Sequence, residues 1–369
     1  HAHWDQSHGL RHWRLPELSP WIQIADESGC LSEAQRQAVV AIERCAHGHS
    51  GRPLVLTADR GRGKSSALGL AVGRLLRSTA AKGYRILLTA PSYATCSTLL
   101  RHAQNSSGAT PHAQGLELGN NQLLFFSPER LLDEQPPADL LLVDEAAAIP
   151  TSLLSRLLMH YPRIVFATTL HGYEGSGQGF ALRIQPELER LAPGWQAIHL
   201  TQPIRWSPSD PLEPQIAQLL LLDAESATPV PSDTSQYRWI SQAELATDEA
   251  LLRQVFGLLL LAHYQTSPSD LRTLLDHPDL VIAASLVEQQ VCGIVLVLRE
   301  GELDPDLAEQ IWLGRRRPRG HLIPQTLLTH AGFRQAGQFS YARIMRIAIH
   351  PAYQRRGLGQ QLIQEVERW

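Results

Sequence analysis

A glycine-rich stretch in the first quarter of the chain has the residue types that bind phosphate. It is Ala58-Asp59-Arg60-Gly61-Arg62-Gly63-Lys64-Ser65, and it lies between an apolar run and a helical pattern. Glycines let backbone N–H groups turn toward phosphate oxygens, and the start of a helix adds positive potential. Lys64 would then bridge the β- and γ-phosphates of a nucleotide, while Ser65 would bind Mg²⁺. Only two of the 33 basic residues are lysines, which favours a required ammonium at Lys64.

A pair of acids follows a second apolar run and would complete a nucleotide-hydrolysing site. The run Leu140–Val143 ends in Asp144 and Glu145. Asp144 would hold Mg²⁺ through water, and Glu145 would polarise the attacking water. The same pair can instead cap the next helix, which Thr151 opens beyond Pro150. The glycine-rich loop upstream favours the catalytic interpretation.

Three further segments fit this nucleotide site. Leu31-Ser32-Glu33-Ala34-Gln35 resembles the adenine-reading glutamine segment of helicases, in which the Gln35 amide would pair with adenine. Residues Gly172–Gly177 form a glycine-containing segment suited to sensing the γ-phosphate. Arg205 follows the last predicted strand of this region and would stabilise charge on the transferred phosphoryl group. A surface ion pair is the alternative interpretation of Arg205.

A second glycine loop lies near the end of the chain. The predicted strand Tyr341–Ile349 leads into Gln354-Arg355-Arg356-Gly357-Leu358-Gly359 and then into a helix. Consecutive amides at such a helix start cradle a diphosphate, and the absence of a lysine suits a coenzyme that is held and not hydrolysed. The pattern resembles the pyrophosphate loop of the GNAT acetyltransferases, in which the edge of Ile347, Ala348 and Ile349 would pair with the pantetheine arm of coenzyme A. A structural glycine cap between strand and helix is the alternative.

Positive charge is concentrated around this second loop. The formal net charge is −3, but residues 310–356 hold nine arginines and no acid, so the rest of the chain carries −12. Such a stretch attracts the phosphates of a nucleotide, a coenzyme or RNA. We predict that Arg315, Arg316, Arg317 and Arg319 contact RNA. An arginine-rich surface without a partner is the alternative.

Composition excludes several classes of protein. A chain of 369 residues with 43% hydrophobic and 19% charged residues is long enough for two or three domains and is not disordered. No apolar run approaches the roughly 20 residues of a membrane helix, so no membrane association is predicted. The four cysteines are scattered, which argues against a zinc site or disulfide framework and favours a reducing cytoplasm. Because the chain begins at His1 and not at Met, we expect the true N-terminus to be missing.

Strands and helices alternate along the first part of the chain. Predicted strands are Pro53–Ala58, Arg85–Ala90, Ala138–Asp144, Arg163–Thr169 and Trp195–Leu200, and predicted helices are Leu31–Ala46, Lys64–Arg77 and Thr151–His160. This alternation is typical of a parallel sheet covered on both faces. Residues 1–30 show neither a helical nor a strand period, and they are predicted to be a linker or the end of a missing domain. His8 and His12 are spaced for a metal, but a solvated linker is favoured.

The stretch Asp223–Gln236 is polar, contains prolines and predicts a linker. Beyond it we predict helices at Asp248–His263, Ser269–Asp276 and Asp304–Trp312, a hairpin of Leu280–Val287 and Val291–Arg299, the strand Tyr341–Ile349, and a helix ending at Trp369. The predicted fold is α/β, with a P-loop helicase-like parallel-sheet ATPase domain over residues 31–225 and an α+β GNAT domain over residues 237–369. Because no strand follows the last helix, this second domain is expected to be incomplete.

Taken in order, these motifs resemble the tRNA(Met) cytidine acetyltransferase family, related to the larger eukaryotic RNA cytidine acetyltransferases. The resemblance covers about Leu31 to Trp369. It is carried by Gly61-Arg62-Gly63-Lys64-Ser65, Val143-Asp144-Glu145-Ala146-Ala147-Ala148-Ile149-Pro150, Gly172-Tyr173-Glu174-Gly175, Gln202-Pro203-Ile204-Arg205-Trp206, Tyr264-Gln265-Thr266-Ser267-Pro268-Ser269-Asp270-Leu271 and Arg316-Arg317-Pro318-Arg319-Gly320.

The resemblance implies acetylation of the exocyclic amine of a cytidine, at the wobble position of elongator tRNA(Met), by a cytoplasmic monomer. Acetyl-CoA would be the donor, and hydrolysis of ATP or GTP with Mg²⁺ would be required. Implied nucleotide-binding residues are Gln35, Gly61, Arg62, Gly63, Lys64, Ser65, Ser66, Ala67, Leu68, Gly69, Leu70 and Arg205. Implied acetyl-CoA-binding residues are Ile347, Ala348, Ile349, Gln354, Arg355, Arg356, Gly357, Leu358, Gly359 and Gln360.

The sequence identifies no base for the acetyl transfer. His350 lies beside the second loop, but Pro351 after it predicts a turn residue. Two functions of other classes remain open. One is a protein or small-amine acetyltransferase with an attached ATPase, and the other is an RNA-remodelling ATPase whose GNAT part senses acetyl-CoA. The arginine stretch favours an RNA acceptor over the first of these.

Overall fold

The protein was analysed as a computed structural model, which describes residues 2–5, 9–13, 25–78, 83–169, 177–224, 226, 235–262 and 266–369. The chain forms two compact units. The first contains His1–Thr169 and Pro186–Pro211, and the second contains Leu170–Gln185 and Leu212–Trp369. The domain limits at residues 31–225 and 237–369 stay a prediction.

The N-terminal region contains two strands that were not predicted. Strands β1 (Ala2–Asp5) and β2 (Gly9–Trp13) pair antiparallel. Two runs of four and five residues are too short to show a period in the sequence. The assignment of residues 1–30 as a linker or the end of a missing domain stays a prediction. His8 lies outside the described residues. Within the described part of the chain, no group of three or more His, Cys, Asp or Glu residues is placed to hold a metal.

A central sheet of eight strands organises the first unit. The elements of this part of the chain follow one another in sequence. They are α1 (Glu33–His47), β3 (Leu54–Ala58), α2 (Lys64–Arg77), β4 (Arg85–Thr89), α3 (Ser97–Ser107), β5 (Thr110–His112), β6 (Gly115–Leu118), β7 (Asn121–Phe125), α4 (Pro128–Glu134), β8 (Leu140–Val143), α5 (Thr151–His160), β9 (Ile164–Thr169), α6 (Gly177–Leu191) and β10 (Gln196–Leu200). The strand order is β10-β3-β9-β8-β4-β7-β6-β5. The limit between the two units falls within α6, after Gln185.

The predicted parallel sheet is confirmed for strands β10 to β7. An antiparallel extension of β5 and β6 continues it at one edge and was not predicted. The central strands are apolar on both faces, as in β8, in which all four residues are buried, because helices cover both sides of such a sheet. The carboxyl ends of β3, β8, β9 and β10 lie side by side, so the segments that follow these strands meet at one edge.

The second unit is built on an antiparallel sheet of four strands in the order β11-β12-β13-β14. Its elements are α7 (Leu212–Leu219), β11 (Gln236–Ile240), α8 (Gln242–Thr247), α9 (Glu249–Ala262), α10 (Pro268–Asp276), β12 (Leu280–Val287), β13 (Gln290–Gly301), α11 (Pro305–Trp312), α12 (Leu322–Thr329), β14 (Ser340–Ile349) and α13 (Leu358–Arg368). The predicted hairpin is β12 and β13. Strand β11 begins at Gln236, which the linker prediction had included, and α12 was not predicted.

Helices cover the two faces of this sheet. The apolar helix α9 packs with residues of β12, β13 and β14 on one face, and α13 places Leu362 and Val366 against Val295 and Val297 on the other. Strand β14 is an edge strand, and among the described residues no strand pairs with its outer side. No described helix combines the length and the apolar character that crossing a bilayer requires.

Candidate functional sites

The phosphate-binding loop joins β3 to α2 and depends on two glycines. Gly61 has φ of +82° and Gly63 has φ of +83°, which is the left-handed region that glycine adopts without strain. A Cβ at Gly61 would lie 2.5 Å from the ring of Trp206, and one at Gly63 would lie 2.7 Å from Gln35 Nε2. Both positions therefore require glycine for backbone conformation and for space.

Lys64 opens α2 and lies buried between two acids. Its Nζ atom is 2.5 Å from Asp144 Oδ1 and 2.8 Å from Glu145 Oε1. Burial alone would lower the pKa of Lys64, but the two carboxylates raise it above its ordinary value. The structure thus brings together the four residues Lys64, Ser65, Asp144 and Glu145 that the sequence placed 80 positions apart.

The same groups fit a magnesium ion. Ser65 Oγ donates to Asp144 Oδ2 at 3.3 Å, so a hydroxyl and a carboxylate oxygen already face each other. Hard oxygen ligands of this kind suit Mg²⁺ bound together with nucleotide phosphates. Asp144 is 1% exposed, and Glu145 adopts φ of +50° directly after it, which turns the second carboxylate toward Lys64. The metal-binding role of Ser65 and Asp144 stays a prediction.

Gln35 makes contacts that the sequence did not predict. Its side chain is buried, accepts a hydrogen bond from the N–H of Leu31 at 2.7 Å and donates one to the carbonyl of Gly63 at 3.2 Å. The amide therefore links the start of α1 to the phosphate-binding loop. The predicted pairing with adenine would have to use the remaining amide hydrogen and oxygen lone pair.

The segment after β10 lies against the same loop and carries Arg205. Arg62 Nε donates to the carbonyl of Thr201 at 2.9 Å, and the N–H of Ile204 donates to the carbonyl of Gly61 at 2.9 Å. Arg205 is exposed and forms no ion pair with any described residue. The described part of the chain therefore does not provide the surface ion pair of the alternative interpretation, and the role of Arg205 in nucleotide binding stays a prediction.

The other predicted nucleotide-binding residues lie along α2. Ala67 and Leu68 are fully buried, and a Cβ at Gly69 would lie 2.4 Å from the carbonyl of Leu99, so α2 packs closely on α3. Ser66 pairs with His102 at 3.1 Å. The residues from Ser66 to Leu70 therefore position the helix, and we expect a phosphate to contact the first backbone amides of the helix and not these side chains.

The segment Gly172–Gly177 was predicted to sense the γ-phosphate. Residues 172–176 of this segment lie outside the described residues.

A cavity of about 360 Å³ runs along the free edge of β14 in the second unit. It is lined by Ile347, Ala348 and Ile349, by Leu261 and Ala262 of α9, and by Arg183, Pro351 and Gln354. A strand edge offers the backbone groups that an extended ligand needs for pairing. The three strand residues predicted to bind the pantetheine arm therefore line one cavity.

The second glycine loop connects this edge to α13. Gly357 has φ of +82° at the start of the helix, and no atom lies within 4 Å of the position that a Cβ would take. The helix start is therefore open, as a diphosphate site requires. Gln354 Nε2 donates to the carbonyl of Ile349 at 3.1 Å, and the Arg356 guanidinium lies over the Tyr353 ring. The loop is thus fastened to the strand edge at Gln354.

His350 is a turn residue, as predicted. Its Nδ1 accepts a hydrogen bond from the N–H of Ala352 at 3.2 Å, which caps the short turn after β14. The side chain is buried, and burial lowers its pKa. A ring nitrogen engaged in this way is poorly placed to accept a proton from a substrate.

The arginine stretch is partly neutralised by acids from other segments. Arg343 pairs with Glu300 at 2.6 Å, Arg346 with Asp270 at 2.7 Å and Arg334 with Glu309 at 2.9 Å. The charge of +9 counted along the sequence is therefore not a uniform positive surface. Four arginines, Arg315, Arg316, Arg317 and Arg319, are exposed in the turn between α11 and α12. Gln325 holds that turn by donating to the carbonyl of Pro318 at 3.0 Å.

One functional detail was missed because its residues are far apart in sequence. Arg346 of β14 donates to Thr266 Oγ1 at 2.9 Å and to Asp270 Oδ1 at 2.7 Å. Both partners belong to the segment Tyr264–Leu271, in which residues 264 and 265 lie outside the described part. This motif therefore fastens α10 to the strand whose edge lines the cavity. Nothing in the spacing of the residues indicates that pairing.

Two family models match successive parts of the chain. Residues 55–223 match the family model described as RNA cytidine acetyltransferase NAT10/TcmA, helicase domain. Residues 254–369 match the model described as GNAT acetyltransferase 2.

Individual relatives match across both regions. The chain is 46% identical to the tRNA(Met) cytidine acetyltransferase TmcA of Nitrosococcus halophilus, over 93% of this chain and 46% of the relative. The corresponding protein of Vibrio cholerae is 44% identical over 89% of this chain and 47% of the relative. That of Haloarcula marismortui is 37% identical over 95% of this chain and 46% of the relative. The chain thus spans about half the length of the curated relatives it matches.

Proposed function

Since this chain belongs to the tRNA(Met) cytidine acetyltransferase family, we propose that it acts in forming N4-acetylcytidine in RNA. The proposed site is the wobble cytidine of elongator tRNA(Met). Acetyl-CoA is the proposed donor, with hydrolysis of ATP or GTP and Mg²⁺ at the first site. The proposal includes a monomeric cytoplasmic protein, with the ATPase in residues 31–225 and the acetyltransferase in residues 237–369.

The observation that carries the proposal is that one chain contains both a phosphate-binding loop and an open strand edge beside a glycine loop. In the first unit, Lys64 lies between Asp144 and Glu145. In the second, β14 has an outer edge that no described strand pairs with, and residues 350–357 connect this strand to the start of α13. The first arrangement supports nucleotide hydrolysis, and the second supports holding an acyl coenzyme.

In the nucleotide site, each side chain has a distinct proposed task. Lys64 exchanges its two carboxylate partners for phosphate oxygens and so neutralises charge that develops on the transferred group. Asp144 and Ser65 would supply oxygen ligands for Mg²⁺, which when bound would neutralise negative charge on the phosphates. Glu145, released from Lys64, orients the attacking water. Arg205 adds a second cation at the side of the loop.

In the acetyl-transfer site, the backbone of β14 orients the donor. The cytidine amine attacks the thioester carbonyl, a C–N bond forms while the C–S bond breaks, and the amine proton passes to the leaving coenzyme A thiolate. The described residues that line the cavity include no His, Asp, Glu, Lys, Cys or Tyr. We therefore assign to this part of the site the orientation of the two reactants, and no base for the transfer is assigned.

The test uses the protein in its full natural length with acetyl-CoA labelled in the acetyl group. The label is followed into total RNA and total protein, with and without ATP or GTP, and labelled RNA is digested to nucleosides. We expect nucleotide-dependent label in N4-acetylcytidine, and loss of that label when the wobble cytidine of elongator tRNA(Met) is replaced by uridine. Label in protein would support the protein acetyltransferase instead. Nucleotide hydrolysis without any transfer would support an RNA-remodelling ATPase.

A further inference from the structure

Among the described residues that line the cavity beside β14, one has a charged side chain, and it comes from a distant part of the sequence. Arg183 lies on α6, about 160 residues before the strand edge that it faces. It falls within residues 55–223, which match the helicase model, but it belongs to the second compact unit. Its position in the sequence therefore gave no indication that it lines the cavity with Ile347 and Gln354.

The helix holds Arg183 in place. Phe180, one helical turn before Arg183, is 2% exposed, and the adjacent Ile184 is 1% exposed. These buried side chains anchor this part of α6. Arg183 itself remains open to solvent at the cavity. A flexible side chain on an anchored backbone can reach a ligand at little entropic cost to the main chain.

No residue in the described part of the chain neutralises the charge of Arg183. It forms no ion pair or hydrogen bond with any residue that the structure describes, and no acid is among the residues that line the cavity. Partial desolvation lowers the pKa of its guanidinium, although the group stays charged. An arginine in this setting is suited to an anionic ligand, since the guanidinium donates two parallel hydrogen bonds to a phosphate.

The other residues that line the cavity indicate which anionic ligand would bind to Arg183. Ile347, Ala348 and Ile349 offer the strand edge to the amides of an extended arm, whereas Gln354 begins the loop that leads to the start of α13. A ligand that follows this course carries its negative charge at the Gln354 end of the cavity. A diphosphate joined to a pantetheine arm has that distribution of charge.

We propose that Arg183 binds the diphosphate of acetyl-CoA, as a second phosphate-binding element beside the amides at Gly357. The inference rests on the proposed function, because it takes acetyl-CoA as the ligand of this cavity. It adds a binding residue from outside the strand, loop and helix that form the rest of the site. The acyl group and pantetheine arm would not depend on Arg183.

Because Arg183 would contact the diphosphate and not the pantetheine arm, the inference can be tested with two ligands. They are acetyl-CoA and S-acetylpantetheine, which lacks the diphosphate. Binding of each to the full-length protein is measured for wild type, Arg183→Ala, Arg183→Lys and a matched control, Arg190→Ala. Arg190 lies on the same helix but is exposed and paired with Glu187. We expect Arg183→Ala to weaken acetyl-CoA binding about 10- to 100-fold and to leave S-acetylpantetheine binding unchanged. Arg183→Lys should fall between, and Arg190→Ala should match wild type.

Three other results of these binding measurements would contradict the proposed role of Arg183. Unchanged acetyl-CoA affinity in Arg183→Ala overturns the inference. Equal loss for both ligands also overturns it, because the side chain would then shape the cavity and not bind the diphosphate. Wild-type protein that binds neither ligand overturns the proposed function itself, and the inference with it. A thermal unfolding curve for each variant shows whether a loss reflects unfolding.

Discussion

The ammonium of Lys64 donates a hydrogen bond of 2.5 Å to Asp144 Oδ1, joining the start of α2 to the end of β8. The predicted phosphate ligand and the predicted metal ligand thus bind each other. Asp144 is 1% exposed, so its charge is balanced by Lys64 and not by water. A nucleotide phosphate would compete with Asp144 for Lys64 and would leave the carboxylate available to Mg²⁺.

Replacing Lys64 tests this pairing. We expect Lys64→Ala and Lys64→Arg to reduce nucleotide hydrolysis at least about 100-fold, because neither supplies a compact ammonium to the phosphates. Lys64→Ala should also lower the free energy of unfolding by about 3–5 kcal/mol, since it leaves a buried carboxylate unpaired. Steady-state hydrolysis and denaturant unfolding measure the two effects. Lys82→Ala removes the only other lysine and is the control. Near-normal hydrolysis in either Lys64 variant would remove the phosphate-loop assignment.

Substitutions of Glu145 and Asp144 should affect nucleotide turnover and nucleotide binding to different extents. Glu145→Gln keeps the shape of the side chain but cannot polarise water, so we expect nucleotide affinity within a few-fold of wild type and turnover reduced about 10²- to 10⁴-fold. Asp144→Asn should weaken Mg²⁺-dependent binding as well. Equilibrium binding and hydrolysis are measured on the same preparations. Equal loss of affinity and turnover in Glu145→Gln would indicate a structural or metal-holding role.

The long periodic elements of the fold were predictable because local pattern alone determines them. Helices α2 and α5 have the predicted limits, Lys64–Arg77 and Thr151–His160. In contrast, β5, β6 and β7 have only three to five residues, and β5 and β6 also contain exposed positions that weaken the apolar pattern. Their pairing is fixed by the sheet edge that they extend, which is a tertiary effect.

The candidate sites likewise contain some features that the local sequence predicts and others that depend on tertiary contacts. The spacing of Gly61, Gly63 and Lys64 encodes a local structure, so the loop was predictable from the sequence. The contact of Gln35 with Gly63 and the presence of Arg183 in the β14 cavity depend on chain segments that meet only after folding. The pairing of Arg346 with Asp270 likewise neutralises charge that the linear count had left uncompensated.

Stability should depend on pH through Glu300, which is buried, pairs with Arg343 and accepts from the N–H of Ile323. Burial raises the pKa of Glu300, but these hydrogen bonds and the arginine outweigh it and lower the pKa below its ordinary value of 4.5. A lowered folded-state pKa stabilises the protein above pH 4.5, and this contribution is lost as the pH falls through the folded pKa.

The variant Glu300→Gln should therefore be less stable than wild type by about 1–3 kcal/mol near pH 7. The difference should shrink below pH 4.5, where wild-type Glu300 also becomes neutral. Denaturant unfolding from pH 3 to pH 7 measures it. Glu309→Gln breaks the exposed pair with Arg334 and should cost less than about 1 kcal/mol. A difference for Glu300→Gln that stays constant with pH would show that the charge of Glu300 is not the stabilising feature.

Gly357 tests the coenzyme loop. Gly357→Ala places a Cβ in open space but strains a backbone with φ of +82°, whereas Gly357→Glu adds a negative charge to the same strain. We expect Gly357→Glu to weaken acetyl-CoA binding at least about 10-fold more than Gly357→Ala, because a carboxylate at the helix start repels a diphosphate. Nucleotide hydrolysis without RNA should persist in both. Calorimetric binding and hydrolysis assays provide the comparison, and equal binding by both variants would show that the diphosphate lies elsewhere.

The arginines between α11 and α12 should act on RNA and not on the coenzyme. Replacing Arg315, Arg316, Arg317 and Arg319 by Ala removes exposed cations in a turn that Gln325 holds. Each lost phosphate contact should flatten the slope of log K against log salt by about 0.7–0.9, so tRNA affinity should fall most at low salt. Acetyl-CoA affinity should not change, since none of the four lines the β14 cavity. Filter binding of elongator tRNA(Met) over a salt series measures the slope. A variant that binds tRNA like wild type, or that loses acetyl-CoA instead, would show that these arginines do not contact RNA.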